Sequence, residues 1–244
     1  MSTIKVRGVV IKESFTGEAD KFITILCKDQ GKIRAYAKGA RNTNSKFLAG
    51  TQLFSYADFV LYERNDFLSV AQIDPIENFY KIRNHFEKLC CGSYLFELVD
   101  RNILPNEPCN DLMQILLKSL ANLKKKNTEP GLIARIFELK FLEYEGYMPE
   151  LNGCVVCGAM ILGEMYFMRE GIACPKCIGK EKAHRINSVT LRTIKYICTS
   201  ERKDLFQFSV SKEVLKEMKA VSKIYMKEDY PYKSLELNEG DGTL

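Results

Sequence analysis

Apolar and polar positions alternate in short runs from the amino terminus to about residue 77. Residues 4–13 alternate near their start and carry Val9, Val10 and Ile11. Residues 22–27 are a continuous apolar and β-branched run, 32–38 alternate cleanly, 53–62 are long and aromatic, and 67–73 close the set. A period of two puts successive side chains on opposite faces of a strand. Turn signals separate the runs at Thr16-Gly17, Asp29-Gln30-Gly31, the loop from Gly39 to Gly50, and Asn65-Asp66. Five strands with no helix between most of them predict a small barrel. The five-stranded nucleic-acid-binding barrel is the natural candidate, although periodicity alone does not separate it from other small barrels.

Pro75 is expected to end the barrel, and from Phe79 the apolar spacing becomes helical. One helix is predicted over 82–102, with Phe86, Leu89, Cys90, Tyr94, Leu98 and Val99 on a shared stripe. A second is predicted over 111–126, ending in Lys124, Lys125 and Lys126, which suit its negative end or a phosphate contact. A third, over 132–145, carries Ile133, Ile136, Phe137, Lys140, Phe141 and Tyr144 at threes and fours, with Gly146 as its cap. Further helices are predicted over 189–199 and 212–227, followed by a polar tail over 236–244 that is expected to fray. The fold class is therefore α+β: a barrel domain at 1–78, then a helical domain at 79–244.

The helical pattern is interrupted at about 150–180. Cys154-Val-Val-Cys157-Gly158 is followed by sixteen residues, Gly158 through Ala173, and then by Cys174-Pro-Lys-Cys177. Two Cys-x-x-Cys pairs at this separation are the spacing of a four-thiolate zinc site, with Cys154, Cys157, Cys174 and Cys177 as ligands. Between them, Met165-Tyr-Phe-Met168 ending at Glu170-Gly171 reads as a short hairpin that brings two knuckles together. Four protein ligands leave no open position, so the zinc is structural and replaces a hydrophobic core in a segment too small to have one. A redox pair or unligated thiols are the alternatives. A basic run follows: Lys176, Lys180, Lys182, His184 and Arg185, interrupted by Glu181.

Composition changes this picture mainly by exclusion. At 244 residues, 46% hydrophobic and 27% charged, the chain is ordinary globular material. Lys5 and Arg7 interrupt the first apolar run, so no secretory signal is expected, and no apolar window reaches membrane-spanning length. The remaining cysteines (Cys27, Cys90, Cys91, Cys109 and Cys198) are scattered among apolar neighbours and read as reduced thiols of a cytosolic protein. With only two histidines, His85 and His184, and no phosphate-binding glycine loop, the common hydrolase and nucleotide-binding sites are not indicated.

Charge distribution is more informative than its total. The third predicted strand places Lys32, Arg34, Tyr36 and Lys38 on one face and Ile33, Ala35 and Ala37 on the other. The loop adds Arg41 and Lys46, and from Gln30 to Ala57 there are five basic residues and no acid. That window alone carries as much charge as the chain's net +5. A basic strip with a ring in it suits a single-stranded nucleic acid, because cations track phosphates and a ring stacks a base. A solvated strand face beside a loop is the plainer reading of the same residues.

These residues resemble the RecO family of bacterial recombination mediators. The likeness runs through Arg7-Gly-Val-Val-Ile-Lys12, Gly17-Glu18-Ala-Asp20-Lys21, Gly31-Lys32, and Ala37-Lys38-Gly39-Ala40-Arg41 with Ser45-Lys46 beyond. It resumes at Phe137-Glu138-Leu139, Gly146-Tyr147 and Leu151-Asn-Gly-Cys154 through Gly158. The resemblance implies that the barrel is an oligonucleotide/oligosaccharide-binding (OB) fold. It implies a non-enzymatic repair protein of the bacterial cytoplasm, at the nucleoid, that binds single- and double-stranded DNA and anneals complementary strands. The implied partners are RecR, the acidic carboxy-terminal tail of single-stranded-DNA-binding protein, and the RecA pathway. Lys38, Arg41 and Lys46 inherit the DNA-contact role, and Arg135, Phe137 and Lys140 are candidates for the partner-tail site. Phe15 and Thr16 depart from the family, in which an aromatic often stands directly before Gly-Glu. A zinc-stabilised interaction scaffold whose barrel binds no nucleic acid is the alternative function.

Overall fold

The computed structural model describes residues 2–179, 183–201 and 204–229. Lys180, Glu181 and Lys182 of the basic run, and the polar tail at 236–244, lie outside the described residues. The chain divides into two compact units between Thr128 and Glu129.

The first unit opens with β1 (Ser2–Thr16), β2 (Asp20–Cys27), β3 (Gly31–Ala37), β4 (Ser55–Arg64) and β5 (Phe67–Asn78). They form a closed barrel in the order β1-β2-β3-β5-β4, with β4 returning to β1. Every pairing is antiparallel except β3 with β5, which run parallel and meet at Tyr36 and Ser69. That closure is the OB-fold arrangement. It needs β1 to serve two neighbours: residues 2–9 pair with β4 and 8–16 with β2, with a register shift between Val10 and Lys12. Gly8 sits where both pairings overlap. A Cβ there would fall 2.5 Å from both the Ile25 side chain and the Leu26 carbonyl, so no larger residue fits.

Alternation decides what fills the barrel. Val6, Val10, Ile23, Ile25, Ile33, Ala35, Ala37, Phe59 and Leu61 point inward and are buried together. Burying each large side chain contributes about 1.5–3 kcal/mol relative to leaving it in water. The register leaves Arg34 and Lys38 outward and exposed, and Lys32 and Tyr36 outward and half-buried. Pro75 does not end the barrel as expected. It lies opposite Ala57 at a register shift, where a missing N–H is tolerated, and β5 runs on to Asn78.

A short 3-10 turn (Tyr80–Asn84) precedes α1 (Phe86–Asn102), and extended backbone at His85 separates them. The single helix expected from residue 82 is therefore two pieces. Helix α2 (Asn110–Leu123) stops before the three lysines. Lys124 reaches back to Glu77 at 2.7 Å, so its charge serves the end of β5. Within this unit the barrel is tied to the segment between the helices. Asn106 N–H donates to the Gln30 carbonyl at 3.0 Å and Cys109 N–H to that of Lys28 at 2.9 Å. Gly31 has φ +56°, and a Cβ on it would meet the Leu104 carbonyl at 2.5 Å.

The second unit begins with α3 (Pro130–Tyr144), whose start is capped by the Glu129 carboxylate accepting from Gly131 N–H. Gly146, at φ +82°, follows its end. A three-stranded sheet, β7-β6-β8, is built from β6 (Met165–Phe167), β7 (Ile172–Ala173) and β8 (His184–Ile186). Helix α4 (Ser188–Thr199) is capped by Asn187, which accepts from Thr190 N–H at 2.8 Å, and α5 (Lys212–Asp229) completes the unit. Helices α3, α4 and α5 pack on one another. Among the described residues, no helix is long and apolar enough to cross a membrane.

Candidate functional site

The outer face of β2, β3 and β5 carries Arg34 and Tyr36 of the expected basic strip, and Lys38, Arg41 and Lys46 follow in the loop after β3. Phe22 on β2 lies directly across from Tyr36 on β3, and Phe67 begins β5 beside them. The three rings touch mutually, with centroids 5.4, 5.7 and 6.2 Å apart. The Arg34 guanidinium lies over the Phe22 ring at 4.3 Å, a cation–π contact that leaves its charge at the surface. Phe67 is 48% exposed, so part of the ring cluster is open to solvent.

Asp20 organises the edge of this face. Its carboxylate accepts from the Tyr36 hydroxyl and, at 2.6 Å, from Gly39 N–H. The bond from Tyr36, then that from Gly39, hold the Asp20 carboxyl below the usual carboxylate range, while the same bond pushes the Tyr36 hydroxyl up. Beyond Gly39, Arg41 N–H donates to the Ala19 carbonyl at 2.8 Å, fastening the β3–β4 loop to the β1–β2 turn. The Arg41 guanidinium then rests over the Phe15 ring at 4.6 Å, and Phe15 is 69% exposed. Phe15 thus shares a surface with Arg41 although it stands one residue earlier than the aromatic of the family pattern. Lys38 and Lys46 are exposed, with Lys46 over Phe47 at 4.9 Å.

Lys32 is the exception on this strip. Its ammonium is tied to Asp100 of α1, to the backbone carbonyl and to the carboxylate at 3.2 Å, and Lys12 reaches the same carboxylate at 2.8 Å. Burial alone would raise the Asp100 carboxyl, but the bonds from Lys12 and Lys32 outweigh it and hold it low. Phe22, Phe67 and Asp20 are not singled out as site residues by the chain alone. Phe22 carried a signal: an aromatic ring in the outward register of a strand.

The cysteines expected to bind metal converge. Cys154, Cys157, Cys174 and Cys177 bring their sulfurs within 4.8 Å of one another, and those of Cys157 and Cys174 are 3.9 Å apart. Zinc–sulfur bonds of about 2.3 Å in a tetrahedron put sulfurs about 3.8 Å apart, so the set fits a tetrahedral metal. Each knuckle is a turn: Gly158 N–H donates to the Cys154 carbonyl at 2.8 Å, and Cys177 N–H to that of Cys174 at 3.0 Å. The β6–β7 hairpin joins them, and Gly171 allows its approach to Glu150, whose carbonyl would lie 2.0 Å from any Cβ. Backbone N–H donors from Cys174 and Cys157 bring the Cys154 thiol down to about 6. Hydrogen bonding with the Cys174 and Cys157 side chains pushes Cys177 up to about 12. The cluster by itself therefore resists carrying four negative charges, which is the condition a bound dication relieves. Bound there, a metal would cross-link two turns backed by a small buried group, Cys154, Met168 and Ala173, with Val155, Ile161 and Ala183 partly buried against it. By contrast, burial pushes Cys27 up to about 12 and Cys109 and Cys198 up to about 11, so these thiols stay protonated.

The three residues expected at a partner-tail site, Arg135, Phe137 and Lys140, lie on α3, and all are buried. Arg135 pairs with Glu138 at 2.6 Å, Phe137 stacks near Phe141 with centroids 6.4 Å apart, and Lys140 binds Glu143 at 2.7 Å and the Cys198 carbonyl at 3.2 Å. Neither cation presents its charge at the surface.

An OB barrel with an open cation–aromatic face, joined to helices that carry a four-cysteine cluster able to hold a metal ion, defines the class of molecule. Comparison with known proteins narrows it. Residues 1–79 match the family model described as recombination protein O N terminal, and residues 83–236 match recombination protein O C terminal. The chain is 42% identical to the DNA repair protein RecO of Acetivibrio thermocellus over 231 residues, 93% of this chain and 92% of that protein. It is 35% identical to the RecO of Alkaliphilus metalliredigens over 226 residues, 91% and 92% of the two chains. It is 31% identical to that of Caldicellulosiruptor saccharolyticus over 229 residues, 93% of each. The chain belongs to the RecO family.

Proposed function

We propose that this protein is a non-enzymatic mediator of DNA repair and recombination in the bacterial cytoplasm, acting at the nucleoid. It binds single- and double-stranded DNA, anneals complementary strands and, with RecR, helps load RecA onto strands coated by single-stranded-DNA-binding protein. The observation that carries this reading is the outer face of β2, β3 and β5 with its loop, where Arg34, Lys38, Arg41 and Lys46 stand exposed around aromatic rings. Annealing breaks and makes no covalent bond. Two strands repel through their phosphates, and a basic surface lowers that barrier by releasing counterions. The barrel, 1–78, supplies that surface in this reading, and the helical part, 79–244, supplies partner contacts. A partner's acidic tail reaches Arg135, Phe137 and Lys140 only where α3 gives up the contacts that bury them. Structural zinc is assigned to the four cysteines, whose thiolate set and spacing suit it.

Fluorescent annealing of two complementary oligonucleotides across a salt series tests this. Wild type should accelerate annealing strongly at low salt and less as salt rises. Lys38→Ala with Arg41→Ala should cut the acceleration and flatten the log–log salt dependence of strand binding by about 0.7 for each lost phosphate contact. Acceleration that survives in the double variant removes these residues from the site. No acceleration at low salt overturns the reading in favour of an interaction scaffold.

A further inference from the structure

Phe22, Tyr36 and Phe67 form a ring cluster on the outside of the barrel, with the barrel's own core on the opposite side of the same strands. Cross-strand aromatic pairs do stabilise sheets, and the Phe22–Tyr36 pair alone is explained that way. That account does not cover Phe67. It reaches the cluster through the parallel closure of β3 on β5, and about half of its surface stays in water. Nor does it cover Arg34, which lies on Phe22 and keeps its charge outward. The cluster is flanked along β3 by Arg34 on one side and Lys38 on the other, and the nearby Asp20 carboxylate is occupied by the Tyr36 hydroxyl and Gly39 N–H.

We infer that this cluster is a stacking platform for unpaired bases, which makes the barrel face selective for single strands and weakens its hold on the duplex that annealing produces. The inference rests on the proposed nucleic-acid role of the same face. A single strand can offer phosphates to Arg34, Lys38, Arg41 and Lys46 and open base faces to the rings. A duplex offers only phosphates, because its bases are stacked on one another. Base–aromatic stacking changes affinity by roughly 5- to 150-fold per base and tolerates any sequence. When two held strands pair, their bases leave the rings, and the product keeps only the salt-sensitive contacts. Annealing is thereby coupled to release with no energy source.

The test uses the full chain and three labelled probes at one salt concentration: an oligothymidylate, an abasic oligonucleotide of the same length, and a hairpin duplex. Phe67→Ala should weaken the oligothymidylate roughly fivefold or more and leave the abasic and duplex probes unchanged. Phe67→Trp should restore binding. It introduces the sole tryptophan of a chain that has none, so its fluorescence should be quenched by oligothymidylate and not by the abasic strand or duplex. If wild type binds all three probes and Phe67→Ala weakens none, or weakens all equally, the platform is overturned while DNA binding stands. An unquenched Phe67→Trp that still binds oligothymidylate overturns it even if the alanine variant fails to fold. Wild type that binds no probe overturns both readings.

Discussion

Strand β3 and helix α3 each carry cations spaced around an aromatic ring, and they deploy them in opposite directions. On β3 and one residue past its end, Arg34 and Lys38 are exposed and Tyr36 lies in a half-open ring cluster. On α3, Arg135, Phe137 and Lys140 are all buried, and each charge has its counter-charge within one helical turn. The difference follows from the element. A strand in a barrel has one wet face and one dry face, so a cation in the outward register costs nothing to keep charged. Helix α3 is buried without interruption from residue 132 to 142, and a charge there is tolerated only when paired. Similar residues thus offer a binding surface in one segment and internal anchors in the other.

The comparison sharpens most at the four-cysteine element of the second unit. Stripping metal with a chelator, or Cys154→Ser, should have the largest effect. Structural zinc contributes an apparent 10–16 kcal/mol in small zinc domains, roughly, and the buried group behind the cluster here, Cys154, Met168 and Ala173 with partly buried neighbours, is small. Amide hydrogen exchange should show Met165–Phe167 and Ile172–Ala173 losing protection while Asp20–Cys27 and Gly31–Ala37 keep theirs. Acid should act in the same direction as the chelator, because protons compete with metal for thiolates. Protection at β6 that survives full metal removal would mean that the element folds on packing alone.

Breaking the α3 pair should come next. Arg135→Met removes the cation paired with the buried Glu138 carboxylate, and breaking a buried pair costs about 3–5 kcal/mol. Adding Glu138→Leu should recover most of that loss. Arg34→Ala on β3 should stay within about 0.5 kcal/mol of wild type, as surface changes do. Denaturant midpoints measure all three variants. Similar losses at Arg34 and Arg135 would erase the distinction between a displayed and an internal cation.

How much of this was legible depended on whether the partners are close in sequence. The barrel strands and the facing of Arg34, Tyr36 and Lys38 follow from alternation, and the four cysteines from their spacing. Phe67 could not be placed, because it joins Tyr36 only through the parallel closure that completes the barrel. Asp100 could not be assigned to Lys32, because strand periodicity gives a side chain's direction and not what a later helix brings to it. The depth of α3 was partly readable: between Leu132 and Leu142 only Arg135, Glu138 and Lys140 are polar, and the first two stand three residues apart. A stripe was expected there, but so few polar positions leave no wet face. Pro75 misled because a proline usually closes a strand, and here a register shift accommodates it.

Lys32 falls between the two behaviours and gives the smallest expected effect. It belongs to the basic strip by register, yet its ammonium is tied to Asp100, with side chains only 18% and 21% exposed. Its pairing with a helix in the same unit makes it an anchor like Lys140, although less deeply set. Lys32→Ala should cost up to about 1 kcal/mol of stability, visible as a slightly lower denaturant midpoint. It should leave the salt dependence of strand binding unchanged, where Lys38→Ala flattens it by about 0.7. Equal flattening in the two variants would show that Lys32 leaves Asp100 to meet a phosphate. The strip would then gain a second cation on β3 itself, beside Arg34, at the expense of the tie between β3 and α1.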